Sequence, residues 1–447
     1  MASVKIEQVG AFQLEAGQAG GAQSPGWGES GSEESLGAND AFPWVDFGKG
    51  KTVNVAEPNE ITSEGFQDIP VKVTEYTEKP LSTYARFAGL GAFNYWMWGF
   101  ENSIVKVAVF TITTPSVDPT AGAVYDEEVG GGGNGYTFLR EETWGSTTYL
   151  IFRAVDSAVP AGQSGTLYKQ SGTGDATLAY TAVSALMYEH LYELDAHERH
   201  LADYRTAEQI SGWGAGDKKN RMATLGIKLD TNDFRYKNAM CKKFGFSSSA
   251  GELAMHPMEF VAYDEERADY SSASWTFPAT FHASDNIVGH HQLVCEIGTA
   301  EGAMVAVGVT NVEFSVDIPL QIIQDTISGT HLAEPVMEGK YGVGLSMALS
   351  RHSADTYLGY RDAWTTVIGR VAGRYGYYMQ EFLFNEMKVP EAGPNQDDVP
   401  KENLRFAAGY STSNNWSSWL YGNTLIQDGP VCFRVRNLDS VNHMFEL

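Results

Sequence analysis

From Val312 to Ile322 the chain alternates. Val312, Phe314, Val316, Ile318, Leu320 and Ile322 fall on one side of an extended backbone, and Glu313, Ser315, Asp317 and Gln321 on the other. A helix repeats every 3.6 residues and cannot bury such a pattern; a strand with one face in a core and one in water can. Strands of this kind belong to antiparallel sheets, and Pro319 hints at an edge or bulge. Tyr341 to Ser350 alternates in the same way through Val343, Leu345, Met347 and Leu349. Phe234 to Phe246 and Glu252 to Tyr263 read as a hairpin joined through Ser247-Ser248-Ser249-Ala250-Gly251, with Met222 to Leu229 as a strand before it. Ile104 to Phe110 has the run of a buried strand, and Tyr377 to Val389 with Val431 to Arg436 supply closing strands. Residues 4 to 14 and Gly65 to Tyr76 add weaker ones, the latter with Pro70 at an edge. Composition agrees: 47 glycines in 447 residues, 12% aromatic and only 19% charged, against a usual ~25% charged. The expected class is mainly β and turn-rich.

Two helices are expected beside the strands. Pro80 to Leu90 opens on a proline and places Leu81, Tyr84, Ala85 and Ala88 at helical spacing. Asp355 can cap a second helix, with Tyr357, Tyr360, Trp364, Val367, Ile368 and Val371 as its apolar stripe. Leu186 to Gln209 fits either periodicity. Gly17 to Ala41 holds seven glycines and four serines and reads as a flexible arm. Between Thr111 and Ala185 the texture shifts to glycine- and serine-rich stretches around short β-like islands, an inserted, loop-rich β decoration.

The length favours two or three domains. Val55-Ala56-Glu57-Pro58 and Leu332-Ala333-Glu334-Pro335 each follow one strand and precede another strand and a helix, and each half closes with strand, turn, strand. This common order suggests tandem modules, residues 1–275 with an insertion at about 111–220, and residues 285–447.

No motif for an enzyme emerges. The chain lacks a phosphate loop, a G-x-S-x-G elbow and an H-E-x-x-H pair. His197-Glu198-Arg199-His200 reads as a solvated charged face, His290-His291 as surface or interface, and Asp264-Glu265-Glu266-Arg267 as a solvated cap at a strand end. Cys241, Cys295 and Cys432 are odd in number and far apart, so neither a disulfide framework nor a zinc site is expected. No cofactor, metal or catalytic residue is expected. No run of 18 apolar residues suggests a membrane helix. With 56 acidic and 31 basic residues the formal charge is −25, which opposes tight binding to phosphate backbones.

The blocks Thr224-Leu225-Gly226-Ile227-Lys228, Asn238-Ala239-Met240-Cys241, Ser249-Ala250-Gly251-Glu252-Leu253-Ala254 and Ala262-Tyr263-Asp264-Glu265-Glu266-Arg267 resemble the central block of long-tailed bacteriophage tail tube (major tail) proteins. The Val312 to Ile322 strand, Ala333-Glu334-Pro335-Val336 and the helix from Thr356 resemble the block that follows it in that family. The resemblance covers residues 186–447 well and 1–110 loosely; residues 111–185 depart from it. It implies β-sandwich modules with one flanking helix each, closing into rings that stack into a hollow tube through which DNA passes without specific binding. Its subunits would assemble in the host cytoplasm and end in the virion tail. Partners would be further copies, in trimeric pseudo-hexameric or hexameric rings, and other tail proteins at the tube ends. Glu313, Ser315, Asp317 and Gln321 become candidate lumen-facing residues, an acidic wall that repels phosphate. The arm from Gly17 to Ala41 becomes the candidate contact between rings, and residues 111–185 should lie on the outside. Alternative readings are another virion β-ring component (a contractile-tail inner tube, a baseplate ring or a capsid decoration protein) or a carbohydrate-binding β protein using Phe93 to Phe100.

Overall fold

The computed structural model describes residues 9–14, 36, 41–47, 52–56, 71–112, 117–130, 135–154, 161–194, 222–228, 233–269, 275, 286–321, 335–337, 339–349, 356–394, 402–409, 415–416, 420, 429–441 and 443. The protein is mainly β. Its first strands are β1 (Val9–Leu14), β2 (Ala41–Phe42), β3 (Asp46–Phe47), β4 (Thr52–Ala56) and β5 (Val71–Tyr84), followed by helix α1 (Gly91–Trp98) and β6 (Gly99–Ile112). Then come β7 (Val124–Asp126), β8 (Tyr136–Trp144), β9 (Thr147–Ala154), β10 (Gly165–Ser171), β11 (Thr177–Val183) and β12 (Met187–Leu194). The central strands are β13 (Ala223–Lys228), β14 (Asp233–Ser249), β15 (Met255–Ala262) and β16 (Asp264–Ala268). The last part holds β17 (Leu293–Gly298), β18 (Val305–Val307), β19 (Val309–Asp317), β20 (Leu320–Gln321), β21 (Val336–Met337), β22 (Gly342–Leu349), α2 (Thr356–Asp362), β23 (Val367–Tyr375), β24 (Tyr378–Pro394), β25 (Glu402–Ala408) and β26 (Val431–Asn437).

Two sheets face each other. One runs β5–β15–β14–β19–β22–β25–β24, antiparallel throughout. The other runs β18–β17–β23–β24–β26–β12–β6. Strand β24 belongs to both: its later residues pair with β25 and its earlier ones with β23 and β26. The alternation of each strand sends its apolar side inward, so Phe246 and Phe314 of the first sheet meet Phe382 at 5.1 and 4.5 Å between ring centroids, and Phe382 stacks on Phe433 at 4.5 Å. Full burial of each such ring contributes roughly 2–3 kcal/mol. Residues of both proposed modules share this core, and the β14–β19 and β12–β26 pairings join them.

The 17-residue β14 serves two sheets. Its early residues pair with β13 and β16 in a wing that continues through β1 and β2. It changes sheet after Asn238, whose φ of 51° is a left-handed conformation that asparagine tolerates better than most residues.

Residues 111–185 form more than a loop-rich decoration. The pairings β6–β9, β9–β8, β8–β7, β7–β10, β10–β11 and β11–β6 close on themselves as a six-stranded antiparallel barrel. Phe110, Tyr125, Tyr136, Phe138, Phe152, Leu167 and Leu178 fill it as a separate core.

The first expected helix is corrected; the second is present from Thr356 but shorter than expected, and its expected cap Asp355 lies outside the described residues. Pro80 to Leu90 is not helical: β5 runs through Pro80 to Tyr84. Pro80 faces Glu259 of β15, while on the other side β4 pairs with the earlier part of β5 and β3 with Leu81 and Ser82. The helix comes later, at Gly91–Trp98, where Phe93, Tyr95, Trp96, Met97 and Trp98 are all buried. A helix buried nearly all round shows little stripe. It stops at Gly99, whose φ of 84° suits glycine, and the chain turns straight into β6. The second helix ends at Asp362, and Val367, Ile368 and Val371 belong to β23 instead. Trp364 adopts φ 52° at that end, with Thr365 N–H donating to the Tyr360 carbonyl at 2.9 Å. Met187–Leu194 resolves the ambiguous stretch as strand. The Gly17 to Ala41 arm lies outside the described residues apart from Leu36 and Ala41, as do His197 to His200 and Leu332 to Glu334.

Candidate functional site

Strand β19 keeps the expected alternation over Val309–Asp317: Val312, Phe314 and Val316 are buried, while Glu313 and Asp317 are exposed and Ser315 is half-buried. The strand stops short of Ile322, because Ile318-Pro319 breaks it; Gln321 is exposed on the separate strand β20 and does not share the ladder. Cross-strand register extends the outward face. One row runs Tyr84–Met255–Ser247–Glu313–Ser346–Arg405 and another includes Gly245–Ser315–Gly344–Ala407. Small and hydroxylated side chains dominate its centre, so few bulky groups project from it.

The charge of this face is mixed rather than acidic. A bulge between Cys241 and Lys243 brings Lys242 and Lys243 to the same side. Lys243 Nζ lies 3.1 Å from Asp317 Oδ1, and Lys242 contacts Glu78 and lies 3.3 Å from Glu259 Oε1. Glu259 is raised above the ordinary carboxylate range, first by its hydrogen bond with Glu78 and then by burial. Burial would raise Glu78 too, but Glu259 and Lys242 hold it below that range. Arg405 is exposed in the same row as Glu313. The expected acidic wall is therefore offset by at least three cations. The bulge that places the two lysines leaves no mark in the sequence beyond the Lys-Lys pair itself.

Other expected sites resolve into structure. His290 is half-buried; its Nδ1 lies 3.1 Å from Ser248 Oγ and its Nε2 3.0 Å from the Val309 carbonyl, so it ties strands together rather than lying free on the surface. Asp264-Glu265-Glu266-Arg267 is strand β16, where Glu266 pairs with Arg235 and Lys237 at 2.7 Å each, not a solvated cap. The aromatic stretch Phe93 to Phe100 is core, which leaves it no open groove for a sugar. The three cysteines are free and buried. Among the described residues no group of His, Cys, Asp and Glu is arranged to hold a metal, and no helix is long and apolar enough to cross a membrane.

The sequence reading missed a buried charge lattice on the far face of the second sheet. Arg140 and Glu142 of β8, Glu189 of β12, Arg374 of β23 and Arg436 of β26 are all nearly inaccessible. Glu142 accepts from Arg140 Nε at 2.9 Å, Arg374 Nη1 at 3.1 Å and Arg436 Nη2 at 2.8 Å; Glu189 accepts from Arg140 Nη1 at 3.0 Å and Arg436 Nη1 at 3.1 Å. The lattice continues through Arg434, Glu381, Arg370 and Glu296. Burial opposes ionisation of Glu142, yet Arg436, Arg140 and Arg374 hold it well below the carboxylate range. Glu189 is likewise driven to about 2 against the cost of burial, by Arg140, Arg434 and Arg436. This arrangement fixes the barrel to the body.

No family model and no curated protein matches the chain. Among solved structures, the crystal structure of a DUF4466 family protein from Parabacteroides merdae ATCC 43184 is similar over 80% of this chain and 98% of that one, at 9% identity and a TM-score of 0.07. A similarity at that level carries no argument about function.

Proposed function

We propose that this chain is a virion structural protein, the repeating subunit of the stacked rings that form a long-tailed bacteriophage tail tube. The observation that carries the reading is the sheet β5–β15–β14–β19–β22–β25. The segments that resemble tail tube proteins include parts of β14 and β19, and the outward face of this sheet is continuous and mostly small or polar at its centre. Such a face suits the wall of a conduit: its centre offers few bulky groups to obstruct DNA, and its cations are matched by carboxylates rather than forming a net positive patch to hold phosphate. Strands β16 and β18 pair on one side only among the described residues, and edges of this kind can join neighbouring copies laterally. Ring contacts must be heterologous and close; axial contacts must not close. Two tandem modules per chain would make a trimer a pseudo-hexameric ring, and a single functional module would require six chains.

Negative-stain electron microscopy of the purified protein, with and without its natural assembly initiator, tests the reading. Stacked rings of uniform bore are expected, and a solitary molecule at every concentration refutes it. Glu313→Lys with Asp317→Lys shifts the face by four charges per chain. DNA ejection should slow at low salt and recover at high salt; unchanged ejection at low salt removes this face from the lumen.

A further inference from the structure

We propose that His190, held as an imidazolium between Glu101 and the segment that follows β26, is a latch that fastens this segment to the body and releases it when the ring loses its proton. His190 is buried in β12, between Val435 of β26 and Ile104 of β6. Its Nδ1 lies 2.6 Å from Glu101 Oε1 and its Nε2 2.8 Å from the Asp439 carbonyl. A carbonyl only accepts, so Nε2 carries a hydrogen. Glu101 Oε2 accepts the backbone N–H of His443 at 2.7 Å, and with this carboxyl ionised Oε1 accepts too, so Nδ1 carries a hydrogen as well. Opposite an ionised Glu101 the bonding pattern is complete only for a charged ring.

The segment beyond β26 depends on this centre. His443 Nε2 lies 2.8 Å from Asp439 Oδ2, Val441 N–H donates to Asp439 Oδ1 at 3.0 Å, and Asp439 N–H donates to Asn437 Oδ1 at 2.8 Å. The His443 and Asp439 side chains lie so close to the first residue of α1 that a Cβ at Gly91 would fall 2.0 Å from His443 Nε2 and 2.6 Å from Asp439 Oδ2. The titratable and charged groups facing the ring are Glu101 from β6, Tyr192 on its own strand, and Asp439 and His443 from the segment; α1 contributes the neutral Asn94 beside Tyr192. On β26, Val435 is the facing partner and brings no charge.

Burial disfavours the charged ring, but Glu101 and Asp439 outweigh it and raise its pKa above the ordinary 6.5. A base with a raised folded pKa contributes stability that is fully present below its unfolded pKa and lost as pH rises through the folded one. Losing the proton leaves one acceptor facing a ring lone pair, and the fully buried Glu101 loses its cation.

Hydrogen exchange at the Val441 and His443 amides, expressed as protection so that intrinsic exchange cancels, reads the latch in the intact protein. Protection should fall about ten-fold or more as pH rises through the His190 titration, followed in parallel by ring NMR. His190→Gln should abolish that step and leave the segment loose at all pH values. Gly91→Ala, which leaves His190 in place and displaces the His443 and Asp439 side chains that hold the segment, should lower protection already at pH 6 and move the His190 pKa down. A ring that titrates below 6.5, or protection independent of pH in the wild type, overturns the proposal. If His190→Gln does not fold, Gly91→Ala decides: unchanged protection and an unchanged His190 pKa overturn the proposal.

Discussion

Replacing Glu142 by glutamine should cost about 3–5 kcal/mol, the range for removing one partner of a buried ion pair. The geometry sets the size. Arg140 and Arg436 would each retain Glu189. Arg374 would keep only its bond to the Gly376 carbonyl at 2.9 Å and the face of Tyr149 at 3.5 Å. The substitution therefore strands one cation in the interior, and its cost follows from that cation rather than from the lost hydrogen bonds. Equilibrium unfolding followed by tryptophan fluorescence measures the loss, with exposed Glu313→Gln as a control within about 0.5 kcal/mol of wild type. Replacing Arg374 by methionine in the same chain should recover a coupling of about 1–3 kcal/mol. Glu142 sits in the barrel and Arg436 in the body, so calorimetry of Glu142→Gln should also show the barrel melting apart from the body. A loss below about 1 kcal/mol, or no coupling to Arg374, refutes the lattice as the clasp between the two. The acid side provides a second check: Glu189, held at about 2, contributes stability present above the unfolded carboxylate pKa and lost as pH falls from about 4.5 toward 2, on the order of 3 kcal/mol.

His256 is buried, and burial lowers its pKa to about 4, although Nδ1 bonds the Gly245 carbonyl. The unfolded chain binds this proton first, so stability should fall as pH drops from about 6.5 to 4, and His256→Gln should flatten that part of the pH profile. Phe110→Ala should cost about 3–5 kcal/mol, read as a lowered barrel transition in calorimetry, because Phe110 packs edge-on against Tyr136, Phe152 and Tyr180 inside the closed barrel. Trp364→Gly should stabilise by up to about 1 kcal/mol in chemical denaturation, since the indole is 57% exposed and its backbone is left-handed.

Strands were legible wherever one face is wet. Val312 to Asp317, Tyr341 to Leu349 and the Phe234–Tyr263 hairpin alternate visibly because water lies on one side of them. Legibility failed where both sides are covered. Gly91–Trp98 is buried nearly all round, so its helical period has little to contrast with, and neighbouring Leu81 and Tyr84 in a strand, with Ala85 just past its end, mimicked a stripe. Val367, Ile368 and Val371 continued the spacing of α2 by coincidence, and the reversal at Trp364 had no glycine to announce it. The barrel closed through pairings among short strands that its glycine-rich texture obscured.

Strands β12 and β26 also show the limit of alternation as evidence about water. Val431-Cys432-Phe433-Arg434-Val435-Arg436 reads as a strand with a wet face, yet the arginine side is buried beneath the barrel and Trp416. Alternation distinguishes two faces; only the cover decides which one stays wet. The face of β19 carries the same ambiguity one level up, because exposure in one chain does not fix exposure in an assembly. Ser315→Cys separates the cases. The native cysteines are buried and give little background, so a thiol at 315 should react in the single chain with both a small maleimide and a bulky polymer-linked one. In assembled tubes the small reagent should still react while the bulky one is excluded by the bore. Equal reaction of the bulky reagent before and after assembly would place this face on the outside, and loss of both reactions would place it in a subunit contact.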